Sequence, residues 1–413
     1  MNSPSLERFI DGFILFCLCV LVVFLPIAHT EGIRAFALGI PCGLWIIKMI
    51  LSRRILFSRT PLDLPLLLFT IVAGLSLITA VDWRYSLEEF TGEWVIGVFV
   101  FYVVVNNVRS DQLKFILGAL LLGNAIMVSY GIYDFFRDGG QLLNYKVRAG
   151  SLHSGFGTFG TYLVTLIPYI LIATFYVRQT SHRLFLFLLL GLNFFCLYMT
   201  YSRGSWIAAA ILLFMVGWKF LPKKIILVTA GLAGLGFLLL APNEILWHKT
   251  PVSGPGAPGG VMETGEARWG LTKFSLEKIK ENPFRMLGFG QRSFVKKYRD
   301  YYLKYKGALL WHAHNTFLNL TFETGLQGLV IFCFFLYKIL RYCYDKARSE
   351  EFPLTKFYSW ATFFMIITFF ARNLSDDFFI DDSAVLFWFL SGAVLALGKG
   401  SSGKKMGHRV IDA

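Results

Sequence analysis

Two histidines, His312 and His314, stand directly before Asn315, at the point where a long polar segment meets an apolar one. A neutral imidazole near pH 7 can take a proton from an attacking hydroxyl. An ionisable residue at such a position is a functional candidate by default, because leaving it there costs free energy. The competing interpretation is that lipid headgroups and water satisfy both rings. The pattern favours a base at this position.

Three arginines have sequence surroundings that suit an anion. Arg203 lies in a tight turn, Thr200–Trp206, where its planar fork can donate to phosphate oxygens. Arg148 lies in a glycine-rich stretch with accessible backbone amides, and Arg268 lies near the positive end of a predicted helix. The alternatives are an interfacial arginine that reaches to the membrane surface and glycines that only relieve crowding. All three arginines together are more persuasive than each alone.

These residue types predict the transfer of a group from a diphosphate to a hydroxyl. Arginines neutralise the diphosphate as its charge develops, and a histidine takes the proton of the hydroxyl. The chain has no H-x-x-E-H motif, no zinc spacing and no G-x-S-x-G elbow. Along the chain, the first carboxylate after the histidine pair is Glu323, more than two helical turns on. We therefore expect no metal and no other cofactor.

The composition indicates a polytopic membrane protein. Of the 413 residues 55% are hydrophobic, 17% aromatic and only 16% charged, which is rare in soluble proteins. The net charge of +14 mostly flanks the apolar segments, where it sets topology, so it does not indicate nucleic-acid binding. The six cysteines lie within or at the ends of apolar segments and suggest no disulfide framework.

Hydropathy predicts an all-α fold of about twelve transmembrane helices with one large helical loop. The predicted spans are 9–29, 33–51, 62–80, 92–107, 113–136, 156–177, 183–201, 204–220, 224–241, 313–341, 356–373 and 378–397. The chain then divides into nine helices over residues 1–241, an outer loop over 242–312, three helices over 313–397 and a tail over 398–413. Lysine and arginine in alternate loops place both termini in the cytoplasm and the large loop outside, with Lys146, Arg148 and Arg203 as exceptions.

The outer loop is the one extramembrane segment large enough to fold. Residues 251–260 are too rich in Pro and Gly for a helix and are predicted to form a mobile flap. A helix is predicted from Thr264 to about Glu281, before Pro283, and a turn at Gly288–Gly290. Residues 242–311 contain twelve Lys and Arg but six Asp and Glu. This excess suggests an anionic ligand such as a diphosphate, or contact with anionic headgroups.

Several motifs resemble the O-antigen ligase / O-antigen polymerase superfamily of bacterial envelopes. They are Thr200-x-Ser-Arg-Gly-x-Trp, Glu266-Ala-Arg268, Asn282-Pro with Gly288-Phe-Gly290, and His312-Ala-His-Asn315 followed after nine residues by Gly325 and then Gly328. The resemblance covers most of the chain from Arg148 to Gly328. It implies a membrane-embedded glycosyltransferase of the C type that works without metal on the periplasmic face of the bacterial inner membrane.

The resemblance also implies substrates and roles. In the ligases a glycan passes from undecaprenyl diphosphate to a sugar hydroxyl of the lipid A core, with inversion at the anomeric carbon. His314 matches the general base or acceptor-orienting residue. Arg148, Arg203 and Arg268 match the diphosphate binders. Supporting roles fall to His312, Asn315, Gly325, Gly328, Ser202 and Arg292, with Gly325 and Gly328 allowing close helix packing.

Two other functions remain open from the sequence. An O-antigen polymerase shares these motifs and differs in its acceptor. A transporter or flippase of an anionic lipid-linked solute belongs to another class, and it requires polar residues near the bilayer midplane. Here the mid-span positions are nearly all apolar, and no inverted repeat is evident. The ligase is therefore the preferred prediction.

Overall fold

The structure is a computed structural model that describes residues 4–144, 146–153, 155–223, 249–252, 260–299, 312–350 and 352–397. These residues form α-helices and one short hairpin. The helices are α1 Pro4–Phe24, α2 Glu31–Ser52, α3 Asp63–Ser76, α4 Trp83–Glu89, α5 Ile96–Asn107, α6 Leu113–Arg137, α7 Phe156–Tyr176, α8 Thr180–Met199, α9 Arg203–Phe220, α10 Thr264–Glu281, α11 Arg292–Lys297, α12 Thr316–Ser349, α13 Pro353–Asn373 and α14 Asp381–Ala396. The strands are β1 Lys249–Val252 and β2 Gly260–Glu263.

The described helices confirm a polytopic membrane protein that is mostly helical. Seven of them are long and apolar enough to cross a membrane, namely α2, α6, α7, α8, α9, α12 and α13. A π-helical segment, Phe90–Val95, joins α4 to α5 into one longer helix. The predicted span 224–241 lies outside the described residues, so the count of twelve stays a prediction.

A short hairpin departs from a purely helical fold. Strands β1 and β2 pair antiparallel, with Lys249 opposite Glu263 and Val252 opposite Gly260. The hairpin falls at the predicted flap, whose residues 253–259 lie outside the described part of the chain. The helix predicted from Thr264 to Glu281 is confirmed with both bounds.

Aromatic side chains fill the core between the helices. The rings of Phe332 and Phe335 on α12 lie within 6 Å of each other and pack against α13 and α14. Trp388 on α14 is buried because α5 offers Gly97 at the contact, where a Cβ atom would lie 2.3 Å from the indole ring. Close packing of such side chains stabilises the association of helices within a membrane, where van der Waals contacts take the place of removal from water.

The predicted functional segments lie at one end of the helix bundle. We call this the site end, and it contains the turn after α1, the segment before α7, the end of α8, the start of α9 and the segment after α13. The turn after α1 joins the segment before α7 through Ala28 N–H to Leu152 O, at 2.8 Å. The segment before α7 joins the end of α8 through Ala149 N–H to Met199 O, at 2.9 Å. The start of α9 packs on Ser375, after α13. These contacts bring the loops together at one end of the bundle.

Helix α12 is interrupted at Gly325. This residue has φ 74° and ψ 174°, a conformation that is open almost only to glycine. The interruption frees backbone groups of α12 for the segment before α11: Leu326 N–H donates to Pro283 O and Leu287 N–H donates to Phe322 O, both at 2.8 Å. The sequence suggested close helix packing at Gly325, but the structure shows a break in the helix that receives the outer loop.

Gly328 also has a different role from the predicted one. A Cβ atom at this position would lie 1.9 Å from Oγ1 of Thr324, in the same helix. The absence of a side chain at Gly328 therefore makes room for the side chain of Thr324, which lies on the other side of the break. Close contact with a second helix is not the reason for a glycine at this position.

The Gly325→Ala substitution is expected to destabilise the protein by about 1–3 kcal/mol, because a Cβ atom is strained in this backbone conformation. Thermal unfolding in detergent measures the effect. Gly191→Ala is the matched control: Gly191 lies in α8, where a Cβ atom would meet nothing within 4 Å, and alanine is the better helix former. Equal melting temperatures for the two variants would contradict a conformational role of Gly325.

Candidate functional site

Asp376, in the short segment between α13 and α14, is the centre of the site. Its Oδ1 atom lies 2.8 Å from Nδ1 of His314 and 3.6 Å from Nε2 of His312. Its Oδ2 atom lies 3.6 Å from Nη2 of Arg268 and 3.7 Å from Nη2 of Arg372. One carboxylate therefore faces two imidazoles with one oxygen and two guanidinium groups with the other. Its side chain is only 14% exposed.

The two histidines are held by the turn that precedes α12. His314 has a left-handed backbone with φ 48°, which is uncommon outside glycine and is found at functional sites. Its N–H donates to Nδ1 of His312 at 3.0 Å, and the two ring centroids lie 4.3 Å apart. This turn presents the His314 ring to Asp376.

Asn315 makes contacts on both sides of this turn. Its side-chain oxygen caps α12 by accepting from Phe317 N–H at 2.9 Å and Leu318 N–H at 3.1 Å. Its Nδ2 atom donates to Leu374 O at 3.0 Å. One side chain thus ties the start of the helix to the segment that contains Asp376.

The neighbouring Asp377 is a buried anchor for the same segment. It accepts from Oγ1 of Thr316 at 2.6 Å and from the amide of Asn319. Burial raises the pKa of Asp377. The two adjacent carboxylates thus have different surroundings: Asp376 faces cations, and Asp377 faces a hydroxyl and an amide.

Arg268 reaches the site because α10 docks on the first part of α12. A separate apolar cluster forms this contact, and its buried members are Leu271, Leu287, Phe294, Ala313 and Phe322. Arg268 also donates from Nη1 to Ser375 O at 2.9 Å. Along α10, Leu271 is buried, whereas Trp269 and Leu276 are exposed. The helix therefore packs on the described residues with one face.

Arg372 is a site residue that the sequence interpretation missed. It lies in the last turn of α13, only 4% of its side chain is exposed, and its Nη1 donates to Oγ of Ser375 at 3.0 Å. Gly204, next to Arg203, leaves space for this pair, since a Cβ atom there would lie 3.1 Å from Nη1 of Arg372. The sequence signal that could have identified Arg372 is an arginine four residues before an aspartate, at the end of an apolar span.

The other two predicted arginines lie around this centre. Arg203 begins α9, directly beside Gly204 and hence near Ser375. Arg148 lies over the ring of Phe156, 4.5 Å from its centroid, at the start of α7. The next residue, Gly157, contacts the ring of Phe378, two residues after Asp376. The predicted arginines are thus brought to one end of the bundle, with Arg268 in direct contact with the acid.

Two of the supporting residues have structural contacts. Ser202 is buried, and its Oγ lies 2.9 Å from Oγ of Ser205, against Gly160 of α7. Arg292 begins α11, and its N–H donates to Oη of Tyr85 at 3.1 Å. The structure does not bring Arg292 onto Asp376; it lies on the α4 side of the site end.

The charges around Asp376 favour its ionised form. Burial alone raises its pKa, but the hydrogen bond with His314 and the charges of His314, Arg372 and Arg268 outweigh burial, so the pKa lies below its usual range. An ionised carboxylate accepts a hydrogen bond from Nδ1–H of His314, which leaves the lone pair on Nε2. This tautomer is the one that a general base requires.

Three possible metal ligands meet at the same place. Single ligand atoms of His312, His314 and Asp376 lie within 4.8 Å of one another. The sequence offers no carboxylate close to the two histidines along the chain, and the fold brings Asp376 to them. The guanidinium groups of Arg268 and Arg372 oppose a further cation there. The expectation of a metal-free reaction stays a prediction.

His312 is expected to make stability depend on pH. Burial, followed by the nearby His314 and Arg268, lowers its pKa to about 3 despite Asp376. The pKa of His312 in the unfolded chain is about 6.5, so below this pH the unfolded chain binds a proton that the folded chain does not. The free energy of unfolding therefore decreases as the pH is lowered, until about pH 3. At pH 5 the loss is about 2 kcal/mol for this side chain, which is 14% exposed.

Thermal unfolding at pH 7.5 and pH 5 measures this loss. His312→Asn keeps an acceptor for the N–H of His314 but cannot be protonated, so its melting temperature is expected to fall less than that of the wild type. An equal fall in both proteins would rule out His312 as the group responsible.

The comparisons with known proteins fit this geometry. Residues 184–333 match a family model described as O-Antigen ligase, which includes Arg203, Arg268 and His314. Arg372 and Asp376 lie beyond the matched part. No match was found among curated proteins. The match bears out the predicted resemblance over these residues, which are similar to the O-antigen ligase family.

Proposed function

We propose that this protein is an O-antigen ligase, a metal-independent and inverting glycosyltransferase. Its donor is a glycan on undecaprenyl diphosphate, and its acceptor is a sugar hydroxyl of the lipid A core. The observation that carries the proposal is the shared carboxylate of Asp376, which holds His314 at 2.8 Å and two guanidinium groups at 3.6 and 3.7 Å. The match of residues 184–333 to the O-antigen ligase family supports the same class of reaction.

The proposed chemistry is a single displacement. The acceptor oxygen attacks the anomeric carbon as the bond from that carbon to the diphosphate oxygen breaks. The proton of the hydroxyl passes to Nε2 of His314, and the ionised Asp376 stabilises the imidazolium that forms. The bond electrons leave with undecaprenyl diphosphate. Because no covalent intermediate forms, the configuration at the anomeric carbon is inverted.

The arginines bind the leaving diphosphate in this proposal. Arg268 and Arg372 supply charge beside the reacting centre, where Asp376 cancels only one of their two charges. Arg203 and Arg148 lie farther out at the site end and extend the binding surface along the diphosphate. Preorganised donors of this kind stabilise charge as it develops, without reorganisation.

The proposed location is the bacterial inner membrane, with both termini in the cytoplasm and the site end in the periplasm. The convergence of Arg148, Arg203, Arg268 and His314 at one end of the bundle supports the predicted topology. The proposed organisation keeps helices over 1–241 and 313–397, the loop over 242–312 and the tail over 398–413.

Reconstitution of the purified protein tests the proposal. A donor glycan on undecaprenyl diphosphate and a lipid A-core acceptor are supplied with and without a chelator, and products are separated on a gel. A band at the mass of acceptor plus glycan, unchanged by chelator, is expected. Loss of the band with chelator would contradict the metal-free reaction.

The same assay separates the alternatives. A ladder of lengthening glycan still on the lipid diphosphate would identify a polymerase. Flux of a lipid-linked donor across liposomes, without covalent product, would identify a transporter instead.

A further inference from the structure

A cavity lies at the site end, beside the Asp376 cluster. Its volume is about 410 Å³, within the usual range of about 300–1,000 Å³ for small-molecule sites. The turn after α1, the start of α2, the segment before α7 and the start of α14 enclose it. Its lining residues that carry a charged group or an imidazole are His29, Glu31, Arg34, His153, Asp381 and Asp382. None of these was selected from the sequence.

Two buried polar atoms in this lining have no hydrogen-bond partner among the described residues. They are Nε of Arg34 and Nε2 of His153. The rest of the Arg34 guanidinium pairs with Glu31 at 3.1 Å and with Asp382. Buried polar groups are almost always satisfied, so an unmet donor or acceptor at a cavity points to a ligand or to water.

The backbone around the cavity is strained in two places. His29 has φ 61° and Asp381 has φ 46°, both in the left-handed region that favours glycine. They come from different parts of the chain and line the same cavity. Strained residues persist where the fold over-determines them, and they cluster at ligand sites.

The charge of the lining decides the class of ligand. Three carboxylates, from Glu31, Asp381 and Asp382, face one guanidinium. Burial and the charge of Arg34 lower the pKa of His153 to about 3, so this ring adds no positive charge near neutral pH. An excess of negative charge repels a phosphate and suits a ligand with hydroxyl or ammonium donors.

Phe378 joins the cavity to the catalytic cluster. The guanidinium of Arg372 lies 4.5 Å from the centroid of this ring, and the ring also lines the cavity. The residue follows Asp376 by two positions in the chain. A molecule in the cavity therefore lies next to the proposed reaction centre, with an aromatic ring between the two.

We propose that this cavity binds a non-phosphorylated sugar ring, either uncharged or carrying an amine. Carboxylates accept from its hydroxyl or ammonium groups, the guanidinium donates to its hydroxyl oxygens, and Phe378 offers an apolar face. The ring comes either from the acceptor or from the donor glycan. The role of the cavity in transfer rests on the proposed function.

The first test fills the cavity and measures kinetics. Ser383→Trp places a large ring in the lining, and Ser383→Ala is the matched small variant. Asp381→Asn removes one charge with a residue that tolerates the left-handed backbone. Glu88→Gln, an exposed acid on α4, is the control. The KM for the acceptor and the KM for the donor are measured separately, with the reconstituted wild type and with each reconstituted variant.

We expect Ser383→Trp to raise KM for one of the two substrates by about tenfold or more. Asp381→Asn should raise the same KM, Ser383→Ala should raise it less than Ser383→Trp, and Glu88→Gln should match the wild type. The affected substrate identifies the source of the ring. Unchanged KM values for both substrates in Ser383→Trp would overturn the proposal while leaving the transferase function intact.

A second readout does not depend on turnover. Saturation-transfer NMR with methyl glucoside, methyl glucosaminide and glucose 6-phosphate detects weak binding of each probe. For the two non-phosphorylated probes, signals present in the wild type and lost in Ser383→Trp are expected. If the wild type forms no glycan product, the proposed function fails but this measurement still decides the cavity. Probe signals that persist in Ser383→Trp, or a lost signal for glucose 6-phosphate alone, would overturn the sugar site.

Discussion

His314→Ala is expected to lower kcat for glycan transfer by about 10²–10⁴-fold, while the protein still inserts and folds. The side chain is 12% exposed and hydrogen-bonds to Asp376 at 2.8 Å, so its loss removes the proton acceptor. Single-turnover transfer from the lipid-linked donor, together with thermal unfolding, separates catalysis from folding. Full activity of this variant would eliminate the proposed base.

Asp376→Asn supplies the companion measurement to His314→Ala. An amide can donate to Nδ1 of His314, which favours the tautomer that carries its proton on Nε2. The variant also leaves Arg372 without its carboxylate, so its melting temperature must be reported with its rate. As a positioning residue, Asp376 should shift the pH dependence of transfer as well as its rate. A variant with lower stability but an unchanged pH profile would assign Asp376 a structural role only.

Arg372→Lys has the second large expected effect. We expect kcat/KM for the donor to fall by about 10²–10³-fold, as when one preorganised donor is removed from a site of developing charge. Lysine keeps the charge but loses the planar fork that spans Ser375 and Asp376. The KM of the acceptor should remain that of the wild type, which tests whether the arginine acts on the diphosphate.

Two further variants calibrate the Arg372 result. Arg268→Lys should also lower kcat/KM for the donor, but by a smaller factor than Arg372→Lys. The reason is that 40% of the Arg268 side chain is exposed and solvent screens its charge. Arg84→Gln is the matched control, since Arg84 lies at the same end of the bundle and is 88% exposed. An equal loss of kcat/KM for the donor in Arg84→Gln would show a general charge effect. An unchanged kcat/KM for the donor in Arg372→Lys would show that this residue does not act on the diphosphate.

The amino-acid sequence by itself determined the class of fold and much of the site. Apolar runs with lysine and arginine in alternate loops predicted the helices, since both features follow from the bilayer. Of the predicted spans, 156–177 and 356–373 agree with α7 and α13 within a few residues at each end. The outer helix was predicted from its start at Thr264 to its end at Glu281, because Pro283 stops it locally.

The partners of the proposed catalytic histidine were decided only by the tertiary structure. Asp376 lies 62 positions from His314 along the chain, so no spacing pattern could pair them. The return of α13 beside α12 brings the two segments together, and the Asn315 cap fixes their register. Arg372 looked like an ordinary charge at a span end, and the fold buries it against Asp376.

The break at Gly325 and the cavity beside the Asp376 cluster also depended on the tertiary structure. Glycine alone cannot tell close helix packing from a positive φ, because both favour the absence of a Cβ atom. The answer depended on what meets α12 there, which is Pro283 and Leu287 of the outer loop. The cavity is enclosed by three stretches that are distant in sequence, from Ala28 to Ser383. Local physical chemistry determines helices and their ends, whereas long-range packing decides which charges meet.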